Sequence, residues 1–316
     1  MNGGDDFQPI LRRVRACDYL TVAQLFLQNN FLLEKPLSAD DIKSRLLGHW
    51  GTCHGINVVY ANLKAHRPNT TFILGPGHGF PALQANLFVD GELEKVDPLA
   101  TRDASGIAYL CRNFSWPGGF PSHSSPLTPG VICEGGELGY ALGAAYGLAL
   151  GHPEKHIAVL LGDGEFETAT ALASLNLRQL IGDHHYNGHV MPILHLNGYK
   201  ISAPTIYGRK SEREMNELIR GFGYEPLWID GDAPCAFQSA LKDAERVQHP
   251  FLIFRSEKGA TGPKELNGKK VAGNYLAHQI PLPDAKTDPD QLKLLSQWLK
   301  SYQFSELFKP EKGFML

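Results

Sequence analysis

The sequence has 316 residues, 43% of them apolar and 20% charged, and its 30 Lys and Arg against 33 Asp and Glu leave a formal charge of −3 with histidine neutral. This is the balance of an ordinary globular chain long enough to bury a large core, and its near-neutrality excludes nucleic acid or an anionic membrane as the main partner. The 33 glycines and 21 prolines follow no period, so they mean many shaped turns and neither collagen nor disorder.

The chain opens on Met1-Asn2-Gly3-Gly4-Asp5-Asp6, acidic where a secretory leader carries positive charge ahead of an apolar stretch. Leu20, Ala23 and Leu27 keep helical spacing, and Ser38-Ala39-Asp40-Asp41 reads as a helix start before Ile42 and Leu46-Leu47. Residues 1–70 are therefore expected to form a mostly helical lead-in. From about residue 71 short apolar runs end in glycine-rich turns, the first being Thr71-Phe72-Ile73-Leu74 before Gly75-Pro76-Gly77-His78-Gly79. The stretch 138–150 is interrupted by Gly139, Gly143 and Gly147 and falls short of the roughly 20 apolar residues needed to span a bilayer.

The clearest pattern lies between residues 156 and 259. Residues 156–161 read as a buried strand, followed by Gly162-Asp163-Gly164-Glu165 and a helical segment, starting near Glu167 and running to about Leu180. Residues 190–196 form a second strand ending at Asn197-Gly198-Tyr199. Next come a helix over 212–222, a strand over 226–229 ending in Asp230-Gly231-Asp232, a helix over 236–247 and a strand over 251–254. Strands that alternate with helices and are apolar along their length predict a parallel sheet covered on both faces. The expected architecture is a single α/β domain, a doubly wound parallel sheet flanked by helices, with its α/β core over 71–285 and a helical extension over 286–316.

Open α/β sheets bind ligands outside the carboxyl ends of their strands. Asp163 and Asn197 stand at two successive ends and offer hard oxygens suited to Mg²⁺. Gly162 and Gly164 would let a diphosphate approach the backbone, and the helix expected near Glu167 would aim N–H groups at it. Gly-Asp-Gly alone fits equally a strand-to-helix turn in which Asp163 only caps the helix; Asn197-Gly198-Tyr199 at the next strand end favours metal and diphosphate binding. His49, His78, His123 and His278 occur mostly in or beside turns with Gly or Pro, and clustered imidazoles suit proton transfer near neutral pH. Each alone is equally readable as a hydrogen-bonded structural histidine, and spacing does not show that the four converge. Lys258, just after a strand, is placed to meet an anion, or is a turn lysine.

Two further features read as scaffold. The tract Asp183-His184-His185-Tyr186-Asn187-Gly188-His189 lies at the amino end of the sheet and fits a solvated loop better than a metal site, and Lys269-Lys270 fits a solvated loop. Five cysteines (Cys17, Cys53, Cys111, Cys133, Cys235), odd in number and without C-x-x-C, argue against a disulfide framework or zinc ribbon and for a reducing, cytoplasmic setting.

Several segments occur together in one order: Leu46-Leu47-Gly48-His49-Trp50-Gly51-Thr52, Gly75-Pro76-Gly77-His78-Gly79, Phe114-Ser115-Trp116-Pro117-Gly118-Gly119 and Glu134-Gly135-Gly136-Glu137-Leu138-Gly139-Tyr140. They continue with Gly162-Asp163-Gly164-Glu165, His195-Leu196-Asn197-Gly198-Tyr199-Lys200, Thr261-Gly262-Pro263-Lys264 and His278-Gln279-Ile280-Pro281-Leu282. In these the chain resembles the N-terminal domain of the phosphoketolases, thiamine-diphosphate enzymes related to transketolase. The resemblance implies that Asp163, Asn197 and the Tyr199 carbonyl hold Mg²⁺, that Gly164, Glu165, Asn197, Tyr199 and Lys200 surround the cofactor diphosphate, and that Gly136, Glu137 and Leu138 approach the cofactor. It implies that His49, His78, His123, His278 and Lys258 face the reacting sugar.

The implied reaction cleaves xylulose 5-phosphate or fructose 6-phosphate with inorganic phosphate to give acetyl phosphate. It draws on a second, pyrimidine-binding domain whose glutamate activates the cofactor; that domain lies outside the resembling region, so a partner chain or self-association is expected. A catalytically inactive cofactor-binding or interaction module and a transketolase-like transferase subunit remain alternatives. The chain departs from the family pattern at Cys53-His54, Phe80, Ser124-Ser125 and Ala260, of which Phe80 and Ala260 are expected to change volume near the cleft.

Overall fold

A computed structural model describes residues 7–128, 131–182 and 184–316; the acidic opening run 1–6 and Asp183 lie outside the described residues. Helix α1 (Gln8–Phe26) is buried along almost its whole second half, against α2 (Cys53–His66), α3 (Phe80–Asp90) and α4 (Ala104–Asn113). Two of its buried polar side chains donate to carbonyls: Thr21 Oγ1 to that of Cys17 at 2.7 Å and Gln24 Nε2 to that of Pro81 at 2.9 Å.

The helix expected after Ser38 does not form. Ser38 and Asp41 close a capping box around one 3₁₀ turn, Ala39–Asp41, and Ile42 then extends to bridge Leu27. The chain is pulled straight because Lys43 is buried there, its ammonium donating to the carbonyls of Gln24 at 2.7 Å and Phe114 at 3.0 Å. Local capping is outweighed by this tertiary contact.

Five parallel strands, β1 (Thr70–Leu74), β2 (His156–Gly162), β3 (His189–Leu196), β4 (Glu225–Asp230) and β5 (Pro250–Arg255), form one sheet in the order β1-β2-β3-β5-β4. Their side chains alternate between two cores. Ala158, Leu160, Leu252 and Phe254 face the α1–α3 side, whereas Val159, Leu161, Ile253 and Leu194 face α5 (Ala141–Ala149) and α7 (Glu212–Gly221). Burial on both faces is the reason the strands read as continuous apolar runs.

The helical segment expected from Glu167 to about Leu180 is broken. Glu165–Glu167 is a 3₁₀ turn, α6 (Ala169–Ser174) is short and capped by Thr168 Oγ1, which accepts from Ala171 N, and a π-turn follows at Arg178–Gly182. Helix α8 (Pro234–Ala244) and α9 (Pro289–Ser301) complete the α1 side, and Lys269-Lys270 forms one arm of an exposed hairpin with Glu265–Leu266. No helix among the described residues is long and apolar enough to cross a membrane.

Candidate active site

Each strand of this sheet delivers a loop to its carboxyl edge, and glycines bring those loops into backbone contact. After β1, a Cβ on Gly77 would stand 2.2 Å from Gly135 Cα, so only glycine allows these two segments to touch. Two bonds stitch the approach: Ser124 N donates to the Gly77 carbonyl at 2.9 Å and Gly135 N to the Ser124 carbonyl at 2.8 Å. His78, His123 and the 134–138 segment are thereby held side by side.

The remaining two histidines arrive from the loop before α2 and from residues 275–280. Trp50 is fully buried against Trp298, its ring 4.9 Å away, and its backbone N donates to the Gln279 carbonyl at 3.3 Å. That bond sets His49 beside His278. The four imidazoles form one half-buried cluster: His49 lies 5.0 Å from His78, 5.3 Å from His123 and 5.2 Å from His278, and His78 lies 4.8 Å from His278. The convergence that spacing left open is a property of the fold.

The cluster is electrostatically biased toward neutrality. Burial, then His123 and Lys258, push the His49 pKa down to about 4. Burial, then Lys258 and His49, push that of His278 down to about 3, and burial also lowers His78 and His123. The Nδ1 atoms of His49 and His278 are buried without a hydrogen-bond partner, so both retain an unused donor or acceptor.

Beside the imidazoles, coupled to them through Lys258, lies a group of buried oxygens. Asp163, 2% exposed at the end of β2, accepts from Gly164 N at 2.9 Å, Gly198 N at 2.6 Å and Thr205 Oγ1 at 3.1 Å. Burial raises its pKa to about 6 against the opposing pull of Lys258 and these donors. Gly198 has φ +85°, a turn that lets the chain reverse between Asn197 and Tyr199, and Asn197 Oδ1 accepts from Tyr199 N at 3.2 Å. Lys258, 2% exposed, donates its ammonium to the Tyr199 carbonyl at 2.7 Å, and burial pulls its pKa down to about 8.

A buried carboxylate, an amide and a backbone carbonyl that already attracts a cation form the all-oxygen donor set that Mg²⁺ prefers. Residues Asp163, Asn197 and Tyr199 thus fit a hard divalent cation. The neighbouring cradle is partly occupied by its own bonds. Glu165 is buried, accepts from Gly139 N and Gly162 N at 3.1 Å each, and has its pKa raised by burial to about 7. Lys200 pairs with Glu167, whose other oxygen accepts from Ile206 N at 2.6 Å. Gly136 and Glu137 are exposed on the rim and Leu138 is half-buried.

One residue expected near the cleft lies elsewhere. Phe80 does not border the cleft: it is fully buried and packs 6.5 Å from Phe114 within the core, whereas Ala260 sits half-buried beside Lys258. His184 and His185 line a cavity of about 590 Å³ with His156 and His189 at the amino end of the sheet, remote from the cleft. Among the described residues, no group of three or more His, Cys, Asp or Glu side chains could hold a metal ion.

Two polar clusters escaped the sequence reading. In one, buried His54 bridges Asp18 at 2.7 Å and Asp232 at 3.1 Å, with Asn57 Nδ2 donating to Asp18 at 2.7 Å. In the other, buried His195 joins Thr52 to Ser256. The sole sequence signal for the first was the unusual Cys53-His54 pair; His195 lay inside a quoted motif without a role.

Comparison with known proteins identifies the family and the fold. The family model described as "XFP N-terminal domain" matches residues 4–244 and 237–315. A probable phosphoketolase of Bradyrhizobium diazoefficiens is 45% identical over 96% of this chain and 41% of its own length, and one of Streptomyces avermitilis is 43% identical with the same coverage. Among solved structures, transketolase from Campylobacter jejuni superposes with a TM-score of 0.64 at 18% identity, covering 92% of this chain and 43% of that one. The R525L transketolase variant of Pichia stipitis gives 0.65 at 17% identity, covering 97% and 42%. These structural likenesses carry the fold.

Proposed function

The chain belongs to the phosphoketolase family, through the N-terminal domain of that family, and from that premise we propose that it is the diphosphate- and Mg²⁺-binding half of a thiamine-diphosphate-dependent lyase. The proposed reaction converts xylulose 5-phosphate or fructose 6-phosphate, with inorganic phosphate, into acetyl phosphate, an aldose phosphate and water. The chain spans about 41% of the length of the curated relatives it matches, so the proposal includes a pyrimidine-binding domain acting with it. The observation that carries this reading is the convergence of His49, His78, His123 and His278 beside Asp163 and Lys258.

In this reading Asp163, Asn197 and the Tyr199 carbonyl hold Mg²⁺, Gly164 and Glu165 line the diphosphate, and Gly136, Glu137 and Leu138 border the cofactor. Bound thiamine diphosphate supplies the carbon nucleophile and electron sink for cleaving the ketose carbon–carbon bond. The chain's own residues move protons. Cleavage requires a sugar hydroxyl to lose its proton, and imidazoles held neutral by burial begin as bases. The same reaction expels one hydroxyl as water, so the proton taken in the first step can return in the second. Lys258, which bonds the Tyr199 carbonyl, and Lys200, which pairs with Glu167, would favour anionic oxygens beside the proposed Mg²⁺ residues.

The cleft rim also fits a covering domain. Leu47, Leu127, Ile132, Tyr140, Ile201 and Leu276 are exposed in the loops that carry the site, and Leu127 is 93% accessible. Titration calorimetry with thiamine diphosphate and Mg²⁺ tests the assignment: Asp163→Ala is expected to abolish metal-dependent binding, and unchanged affinity would overturn it. The chain alone is expected to form no acetyl phosphate, and turnover by the purified chain would remove the need for a second domain.

A further inference from the structure

We propose that His195 is a positioning residue, which through a Thr52–His195–Ser256 hydrogen-bond chain locks the segment carrying His49 against the segment carrying Lys258. His195 lies near the carboxyl end of β3 and is 1% exposed. Its Nδ1 stands 3.0 Å from Thr52 Oγ1 and its Nε2 2.7 Å from Ser256 Oγ. One ring face stacks on Phe254 at 5.2 Å with the planes 14° apart. The ring is also crowded by Gly55 of α2, where an added Cβ would stand 2.2 Å from it. Strand, helix and both loops therefore leave the imidazole one position.

The chemistry of the linkage is specific to a neutral imidazole between two hydroxyls. Such a ring has one N–H and one lone pair, so it donates to one hydroxyl and accepts from the other; either tautomer completes the chain. Carboxylates or ammonium groups in these places would bring a charge into the core at large cost. Thr52 lies three residues beyond His49, and Ser256 two residues before Lys258. The same loops are also joined by a backbone bond, Gly259 N to the Gly51 carbonyl at 2.8 Å, and by the Trp50 indole, which donates to the Gly259 carbonyl at 3.3 Å. His195 adds a side-chain tie from both loops to the strand leading to Asn197, beside the backbone bond of Ser256 N to the Leu196 carbonyl at 3.3 Å.

This inference rests on reading His49 and Lys258 as cleft residues, but its test reads geometry and needs no turnover. Amine acylation of the intact chain, resolved by peptide mass spectrometry, reports how often the buried Lys258 segment opens; Lys35, with its side chain 66% exposed, serves as the internal standard. Thr52→Val, Ser256→Ala and His195→Phe, the last keeping the aromatic stack, are each expected to raise the Lys258 rate about tenfold relative to Lys35, since each leaves a buried polar partner unsatisfied. Thr52→Ser keeps the hydroxyl and should label at the parental rate. The Thr52→Val, Ser256→Ala double variant should be little worse than either single change, because the chain is broken once.

Unchanged Lys258 labelling in Thr52→Val and Ser256→Ala would overturn the proposal. So would a rate rise spread evenly over all buried lysines, which marks general loosening, or failure of Thr52→Ser to restore the parental rate. Should His195→Phe fail to fold, the two hydroxyl variants decide the matter. Failed cofactor binding in calorimetry would remove the functional reading while leaving this outcome standing.

Discussion

Replacing His54 by glutamine tests the most unusual electrostatic feature of the chain. The imidazole is buried between Asp18, itself 1% exposed, and Asp232. Burial opposes the charged form, but the attraction and hydrogen bonding of Asp18, followed by Asp232, outweigh it and push the His54 pKa up to about 10. In the unfolded chain a histidine titrates near 6.5, so the folded state holds an extra proton between those two values. The stabilisation is fully present below about pH 6.5 and is lost as pH rises toward 10. Its slope is about 1.4 kcal/mol per pH unit, or about 2.7 kcal/mol between pH 7 and pH 9. At pH 6 the His54→Gln chain should also be less stable by about 3 kcal/mol, the lower part of the range for breaking a buried pair, because the amide still donates one bond to Asp18. Guanidinium denaturation followed by tryptophan fluorescence at pH 6, 7, 8 and 9 measures both quantities. Parallel stability-against-pH curves for the parent and His54→Gln over pH 7–9 would refute the account of a buried imidazolium.

Gly198→Ala should cost about 1–2 kcal/mol from the left-handed backbone alone, since nothing lies within 4 Å of the added Cβ. Thermal melting reads that loss, and Mg²⁺-dependent thiamine diphosphate affinity should fall with it as Asn197 and Tyr199 shift. Gly55→Ala drives a methyl into the His195 ring and should lower stability by about 1–3 kcal/mol; a neutral effect in melting would show that the ring is not confined. Thiol labelling of the native chain should be rapid at exposed Cys235 and slow at half-buried Cys133. It should be absent at Cys17, Cys53 and Cys111, because burial raises all three thiols, those of Cys17 and Cys111 to about 12. Peptide mapping that finds Cys17 modified before unfolding would contradict the packing of α1.

The amino-acid sequence by itself determined the strands, α7 and α8, and the chemistry available at the strand ends. β2 and β5 were legible because a strand buried on both faces is apolar without interruption, and α7, expected over 212–222, closes its start with a Ser211–Glu214 capping box. Ser38 and Asp41 carry the same capping signal, yet only one turn forms, because Lys43 is drawn under the end of α1 by carbonyls from Gln24 and Phe114. Asp163 and Asn197 could be picked out as candidate oxygen donors from their positions after apolar runs. The meeting of His49, His78, His123 and His278 could not, nor could the Asp18–His54–Asp232 and Thr52–His195–Ser256 chains. Periodicity along a chain reports which faces of an element avoid water; which distant loops come together depends on the strand order β1-β2-β3-β5-β4 and on glycines thin enough for backbones to touch.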